Sequence, residues 1–213
     1  MPGGPLNDLN EMAGTNRRSK TVPVMALVSM HRPLNASELE RLIEEHYQRD
    51  CLDCTIRSYG TVRIFGRNLY EAQFTCIPYI EKYGHYRKIF HEQDCYDFMY
   101  RLFCKSPIRG FLQEQKSMEF WGQHFKAVVV TPATQEEDFE YGVDYRIQLK
   151  DLTIGIQVKS RRFFKNRYSV QINTEKQSRY HYPVLYHVYS EKDFTFDNDS
   201  TQAIMDILRS VAS

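Results

Sequence analysis

The stretch "GVDYRIQLKDLTIGIQVKS", residues 142–160, restricts the fold of this chain more than any other. "VDYRIQL" and "LTIGIQVKS" are rich in β-branched and apolar residues and are joined by the turn-like Lys150-Asp151, so they read as adjacent strands. They carry Asp144 on the first and Gln157 and Lys159 on the second. Residues i and i+2 of a strand share a face. Gln157 and Lys159 therefore point one way, and Val158 points the other way, into a core. An ionised carboxylate or ammonium buried without a partner is costly. Pairing Asp144 with Lys159 lowers that cost, as a plain cross-strand ion pair would. So does a divalent cation, and the oxygens of Asp144 and of the Gln157 amide suit Mg²⁺.

Around these strands the second half of the chain reads as an ordered unit. "GFLQEQKSMEFWGQHFKAVVV" places Phe111, Met118, Trp121 and Phe125 on one helical stripe. "TPATQEEDFEYG" is an acidic loop, in which Glu136, Glu137, Asp138 and Glu140 either add metal ligands or, as the favoured reading, solvate the loop. "RYSVQIN" (167–173) reads as a third strand and "PVLYHVYS" (183–190) as a fourth, with a last helix over 200–211. His181 and His187, in or beside that fourth strand, take an ordinary core or surface role.

The first half reads as mixed α+β. Residues 1–21 read as a flexible tail. "VPVMALVSM" (22–30) predicts a strand. Residues 37–49 predict a helix, opened by a Ser37–Glu40 capping pattern and carrying Leu39, Leu42, Ile43 and His46 at helical spacing. Residues 54–80 alternate and predict two or three antiparallel strands, with turns at Gly60 and Gly66-Arg67-Asn68. "DCYDFMYRLFC" predicts a helix capped by Asp94. Pro107 and Gly110 mark a seam, so the division is 1–21, 22–108 and 109–213.

The residues of the second half resemble the PD-(D/E)XK nuclease superfamily. The motif is an acidic helix residue, then Asp, then Asp, Glu or Gln followed two residues on by Lys. "YGVDYRIQL…IGIQVKS" and "YPVLYHVYS" look closest to a bacterial nuclease-like domain family of unassigned function. The resemblance implies an α/β (α+β) protein with a restriction-endonuclease-like αβββαβ core. It implies that Asp144 binds metal and that Lys159 orients the attacking water or meets the charge of the phosphorane. Gln157 stands where Asp or Glu is usual, and Val143 replaces the usual Pro before the first acid. The backbone carbonyl of Val158 is the further metal ligand that the resemblance implies. For the helix acid, 100° per residue puts Glu114 within the apolar stripe and Glu119 off it, so Glu114 is the first candidate and Glu119 the second.

A basic run supports a nucleic-acid ligand. Lys159, Arg161, Arg162, Lys165, Arg167, Lys176 and Arg179 are opposed only by Glu175 between 159 and 180, and Phe163, Phe164, Tyr168 and Tyr180 are interleaved with them. Cations bind phosphates through counterion release, and aromatics stack on unpaired bases. The expected activity is Mg²⁺- or Mn²⁺-dependent hydrolysis of DNA phosphodiester bonds, of restriction type, by a homodimer. The alternatives are a catalytically inactive nuclease-fold module that binds nucleic acid, and a protein-interaction domain. The formal charge of +1 excludes a uniformly basic coat. No apolar run approaches the ~20 residues of a membrane helix. The absence of a P-loop or GxGxxG leaves a nucleotide cofactor unsupported. Five cysteines without a secretion-type leader predict a reducing, cytoplasmic setting. Cys51 and Cys54 form a single C-x-x-C, and without a second close pair of ligands they read as ordinary thiols rather than a zinc site.

Overall fold

A computed structural model describes residues 4–15, 22–52, 55–134 and 136–212. The chain divides into two compact units, Met1–Arg109 and Gly110–Ser213. It is a mixed α+β protein whose sheet lies wholly in the second unit. Among the described residues no helix is long and apolar enough to cross a membrane.

The first unit is helical where described, which corrects the mixed α+β expectation for 22–108. Its helices are α1 (Pro5–Ala13), α2 (Val24–His31), α3 (Ala36–Gln48), α4 (Val62–Thr75), α5 (Ile77–Tyr83) and α6 (Glu92–Tyr100). The expected tail contains α1, with Pro5 in its first turn and Leu9 fully buried. Lys82 and Tyr83 of α5 donate to the Asp8 carboxylate. The expected strand at 22–30 is α2: a short run that is apolar all round carries no period by which to tell helix from strand. Helix α3 buries Leu39, Leu42, Ile43 and His46 as its spacing requires. Its cap is Asn35 rather than Ser37. The Asn35 Oδ1 accepts from the Glu38 N–H (2.9 Å), and Glu38 reaches back to the Leu34 N–H (2.8 Å).

The strands expected over 54–80 are α4 and α5. Cys54 lies outside the described residues. Thr61 caps α4 by accepting from the Ile64 N–H (3.2 Å). Val62, Phe65, Leu69 and Gln73 then recur on one buried face, so tertiary burial overrides the β preference of the aromatic and branched residues. Gly66 is not a corner. A Cβ there would stand 2.9 Å from the Tyr96 Cα, so its missing side chain lets α4 lie against α6. Gln73, fully buried, donates to the Phe90 carbonyl (3.0 Å) and accepts from the Phe90 N–H (2.9 Å), which fixes the approach to α6. Asp94 caps α6 from inside its first turn, accepting from the His91 N–H (2.9 Å), and is not itself the N-cap. Burial pushes the Cys95 and Cys104 thiols up to about 11 and about 12.

The residues read as a seam lie in continuous helix. A π-turn (Arg101–Lys105) carries α6 into α7 (Ser106–His124). Its wider hydrogen-bonding step accommodates Pro107, which has no N–H to give.

The second unit continues with β1 (Val129–Pro132), β2 (Tyr145–Leu149), β3 (Leu152–Ser160), α8 (Arg167–Gln177), β4 (Val184–Tyr189) and α9 (Asn198–Ala212). The sheet order is β1-β2-β3-β4; β1–β2 and β2–β3 are antiparallel and β3–β4 is parallel. Two expectations are corrected here. Val129 and Val130 belong to a strand, because α7 stops at His124. Residues 167–173 are helix, capped by Asn166 accepting from the Ser169 N–H (3.2 Å). Parallel neighbours need a crossover, and α8 supplies it. Trp121 of α7, Ile204 and Leu208 of α9, and Tyr145, Ile147, Leu149, Ile154, Ile156 and Val158 of the sheet form the core. His187 is fully buried in β4. Its Nδ1 and the Tyr145 hydroxyl both meet the Ser117 Oγ, and its Nε2 meets the Thr201 Oγ1 (3.1 Å). Burial lowers His187 to about 3, so it is a neutral core residue.

Two predictions follow from this packing. Gly66→Ala gains up to about 1 kcal/mol of helix propensity, yet it should destabilise the chain by about 1–3 kcal/mol, because the new methyl meets backbone. A urea midpoint equal to or above that of wild type would refute the close approach. The second concerns His187, whose folded pKa lies below its ordinary value of 6.5. Its contribution is complete above 6.5 and is lost as pH falls toward about 3. His187→Gln should therefore flatten the fall in melting temperature between pH 7 and pH 4, and parallel curves would overturn the assignment.

Candidate functional site

The register of β2 and β3 builds this site. Tyr145 stands opposite Ile156, and the Asp144 N–H donates to the Ile156 carbonyl (2.8 Å). Asp144 stands just before β2 and beyond the regular ladder, which brings its side chain to the β3 residues that follow Ile156. The Val158 N–H donates to the Asp144 Oδ2 (2.6 Å). The chain reaches Asp144 through Gly142, which adopts φ 67°. A Cβ at Gly142 would fall 2.8 Å from the Gln157 Nε2, so only glycine meets both the conformation and the space there.

Glu114, Asp144 and Lys159 are each half-buried and feel one another's charge. Burial pushes the Glu114 carboxyl well above the usual range; the negative charge of Asp144 adds to this, and Lys159 opposes it. Burial also raises Asp144, against Lys159 and the Val158 N–H, which favour its charged form. Glu119 is exposed and does not join this group. The Lys159 Nζ lies 6.0 Å from the centre of the Phe163 ring.

The sequence favours a solvating role for one member of the site. Asp138 lies on a π-turn (Glu137–Tyr141) between β1 and β2, and its charge raises both Asp144 and Glu114. Its own carboxyl keeps an open side to solvent. Even so, partial burial raises it, against the pull of Lys159 and Lys176. The turn is anchored by its neighbour Glu137, which accepts from the Thr134 N–H (2.8 Å) and the Tyr180 hydroxyl and lies 3.4 Å from Arg146. Lys176 of α8 donates to the Phe139 carbonyl (2.6 Å). In an acidic run these residues look alike. Their roles separate only once Glu137 is turned inward and Asp138 faces Lys159.

The Gln157 amide is used differently from the expectation. Its Oε1 accepts from Asn173 (3.1 Å) and Gln177 (2.9 Å) of α8, so the oxygen expected to hold a cation holds a helix instead. Asp144, Glu114 and the Val158 carbonyl remain as the oxygen donors that fit Mg²⁺ or Mn²⁺, with Asp138 adding negative charge. Among the described residues no three carboxyl groups come within 4.8 Å of one another.

The basic run divides in the same way. Arg161 pairs with Asp197 just before α9. Arg162, Lys165 and Arg167 are exposed at the start of α8. Phe163 and Phe164 pack against Tyr186 with centroids 6.1 and 5.1 Å away, and Phe164 is still 38% exposed. Tyr168, 73% exposed, is the more open aromatic.

No protein-family model matches the chain, and comparison with curated proteins and with solved structures finds no match.

Raised carboxyls make a stability prediction. A carboxyl held above its ordinary value contributes fully below the unfolded value of 4.5, and the contribution is lost as pH rises through the raised folded value. Without metal, Glu114→Gln should melt close to wild type near pH 4.5 and increasingly above it toward pH 8. A gap that stays constant or closes with rising pH would count against a buried Glu114 carboxyl.

Proposed function

We propose that the second unit hydrolyses phosphodiester bonds of DNA with the help of Mg²⁺ or Mn²⁺. The observation that carries this reading is the set of raised carboxyls, Glu114, Asp144 and Asp138, brought by α7, the start of β2 and the π-turn to where each feels the charge of Lys159. Mutual repulsion and burial leave these carboxyls short of positive charge, and a divalent cation supplies it. The order α7-β1-β2-β3-α8-β4 supports the reading, because helix, three strands, helix, strand is the order of a restriction-endonuclease-like core.

Each residue takes a role from its surroundings. Asp144, fixed by the Val158 N–H, holds the cation together with Glu114. A bound cation polarises the phosphate and lowers the pKa of a coordinated water. Glu114, held protonated near neutral pH by burial and by the charge of Asp144, would give up that proton on taking a cation and act as a ligand, and the proton of the attacking water would pass to solvent. Lys159 meets the negative charge that develops on the phosphate as the water oxygen adds and the sugar oxygen departs. Arg162, Lys165 and Arg167 hold the flanking backbone phosphates, and Tyr168 offers a ring to an unstacked base. Cutting both strands of a duplex takes two such sites, which a homodimer provides.

A second reading is a nuclease fold that binds DNA without cutting it. The commitment of the Gln157 oxygen to α8 favours it, since one ligand of the usual set is removed.

Incubation with supercoiled plasmid and Mn²⁺ or Mg²⁺ separates the two. The first reading expects nicking that is abolished by chelation and reduced about 10²–10³-fold in Lys159→Ala, the usual loss when one charge-stabilising donor is removed. Salt-dependent DNA binding without nicking, and without heat of Mg²⁺ binding in calorimetry, is the outcome of the second.

A further inference from the structure

We propose that the first unit holds a zinc ion through His31, His46 and Cys51. This site is separate from the proposed nuclease centre and owes nothing to it. Among the described residues, one group of three side chains brings metal-ligating atoms within 4.8 Å of one another, and it is His31, His46 and Cys51. His31 ends α2, His46 stands in the last turn of α3, and Cys51 follows three residues after α3 ends at Gln48. The two imidazoles meet edge to face with centroids 5.0 Å apart.

The hydrogen bonding of His46 prepares it as a ligand. Its ring is 1% exposed, and Nδ1 lies 2.7 Å from the Leu42 carbonyl. A carbonyl only accepts, so Nδ1 carries the proton and Nε2 of the neutral ring carries the lone pair. Fixing the tautomer from behind in this way is how proteins orient a metal-bound histidine. In tetrahedral Zn²⁺ sites, with Zn–N near 2.0–2.1 Å and Zn–S near 2.3 Å, neighbouring ligand atoms stand about 3.5 Å apart. Small rotamer changes would close the cluster to that spacing.

The three ligands come from α2, α3 and the residues just after α3, so the ion would tie Cys51 to the two helices. Three such ligands leave the fourth tetrahedral position to water or another donor. Zinc binding also displaces the thiol proton, which makes it pH-dependent.

The test uses full-length, untagged protein grown with zinc. Metal analysis after dialysis should give about one zinc per chain, falling to background in Cys51→Ser and in His46→Asn. Asn keeps a donor for the Leu42 carbonyl and removes the ligand nitrogen. Wild-type protein loaded with Co²⁺ should show a thiolate-to-metal charge-transfer band, and that band should be lost in Cys51→Ser. The cobalt spectrum of wild type keeps the test decisive if a variant fails to fold. Folded wild-type protein without stoichiometric zinc, or zinc retained in both Cys51→Ser and His46→Asn, would overturn the proposal.

Discussion

The hydrogen bond from the Val158 N–H to Asp144 is the interaction on which the second unit's proposed chemistry depends. A carboxylate brought to the end of a sheet without a partner costs several kcal/mol. A charge-assisted bond from a strand N–H returns about 1.5–3 kcal/mol of that. It is available because the pairing of β2 with β3 delivers Asp144, just before β2, beside Val158, and that pairing is fixed by apolar partners such as Ile147 against Ile154. A slip of one residue would turn Asp144 into the core and Tyr145 out of it. The core that stabilises the sheet and the carboxyl that destabilises it are thus set by one alignment. What the bond leaves unbalanced is the charge of Glu114 and Asp138 against Lys159, and burial raises both of these carboxyls.

The strands of this unit could be read from the sequence because they obey local rules. β2, β3 and β4 are short, branched and bounded by turn residues, and α9 shows a full helical period. The rest was decided by neighbours. "RYSVQIN" alternates like a strand, yet β3 and β4 are parallel, and the chain between them has to cross over. α4 is rich in aromatic and branched residues and carries a glycine, all signs of strand and turn. Its buried face at 62, 65, 69 and 73 and its Thr61 cap were present in the sequence but were weaker signals than the composition. Gly66 was punctuation in the sequence and is a contact in the fold.

The candidate residues show the same division. Asp144, Gln157 and Lys159 were legible as a group because strand geometry alone sets their faces. Asp138 was not, since an acidic run gives no sign of which member turns toward an amine; that choice is made by Glu137 pairing with Tyr180 and Arg146. His31 and His46 lie in separate helices, and no spacing rule relates them to Cys51. Only the packing of α2 on α3 brings them together.

Gln157 shows how far one side chain can be reassigned without changing the architecture. A carboxylate at that position would add a third repelling charge to those of Asp144 and Glu114. The neutral amide removes that repulsion, and its oxygen takes two donors from α8, so the crossover helix is held to the sheet at the one point where β3 is most polar. Helix α8 buries no residue fully, so hydrophobic contact holds it weakly and these two bonds carry much of its attachment. With the Gln157 oxygen committed to α8, the groups left around Lys159 are Asp144, Glu114 and the Asp138 presented by the π-turn. The turn is itself tied to α8 through Lys176. The crossover helix thereby links the basic residues at its own start to the carboxyls at the sheet end, and a phosphate held by the first would lie within the field of the second.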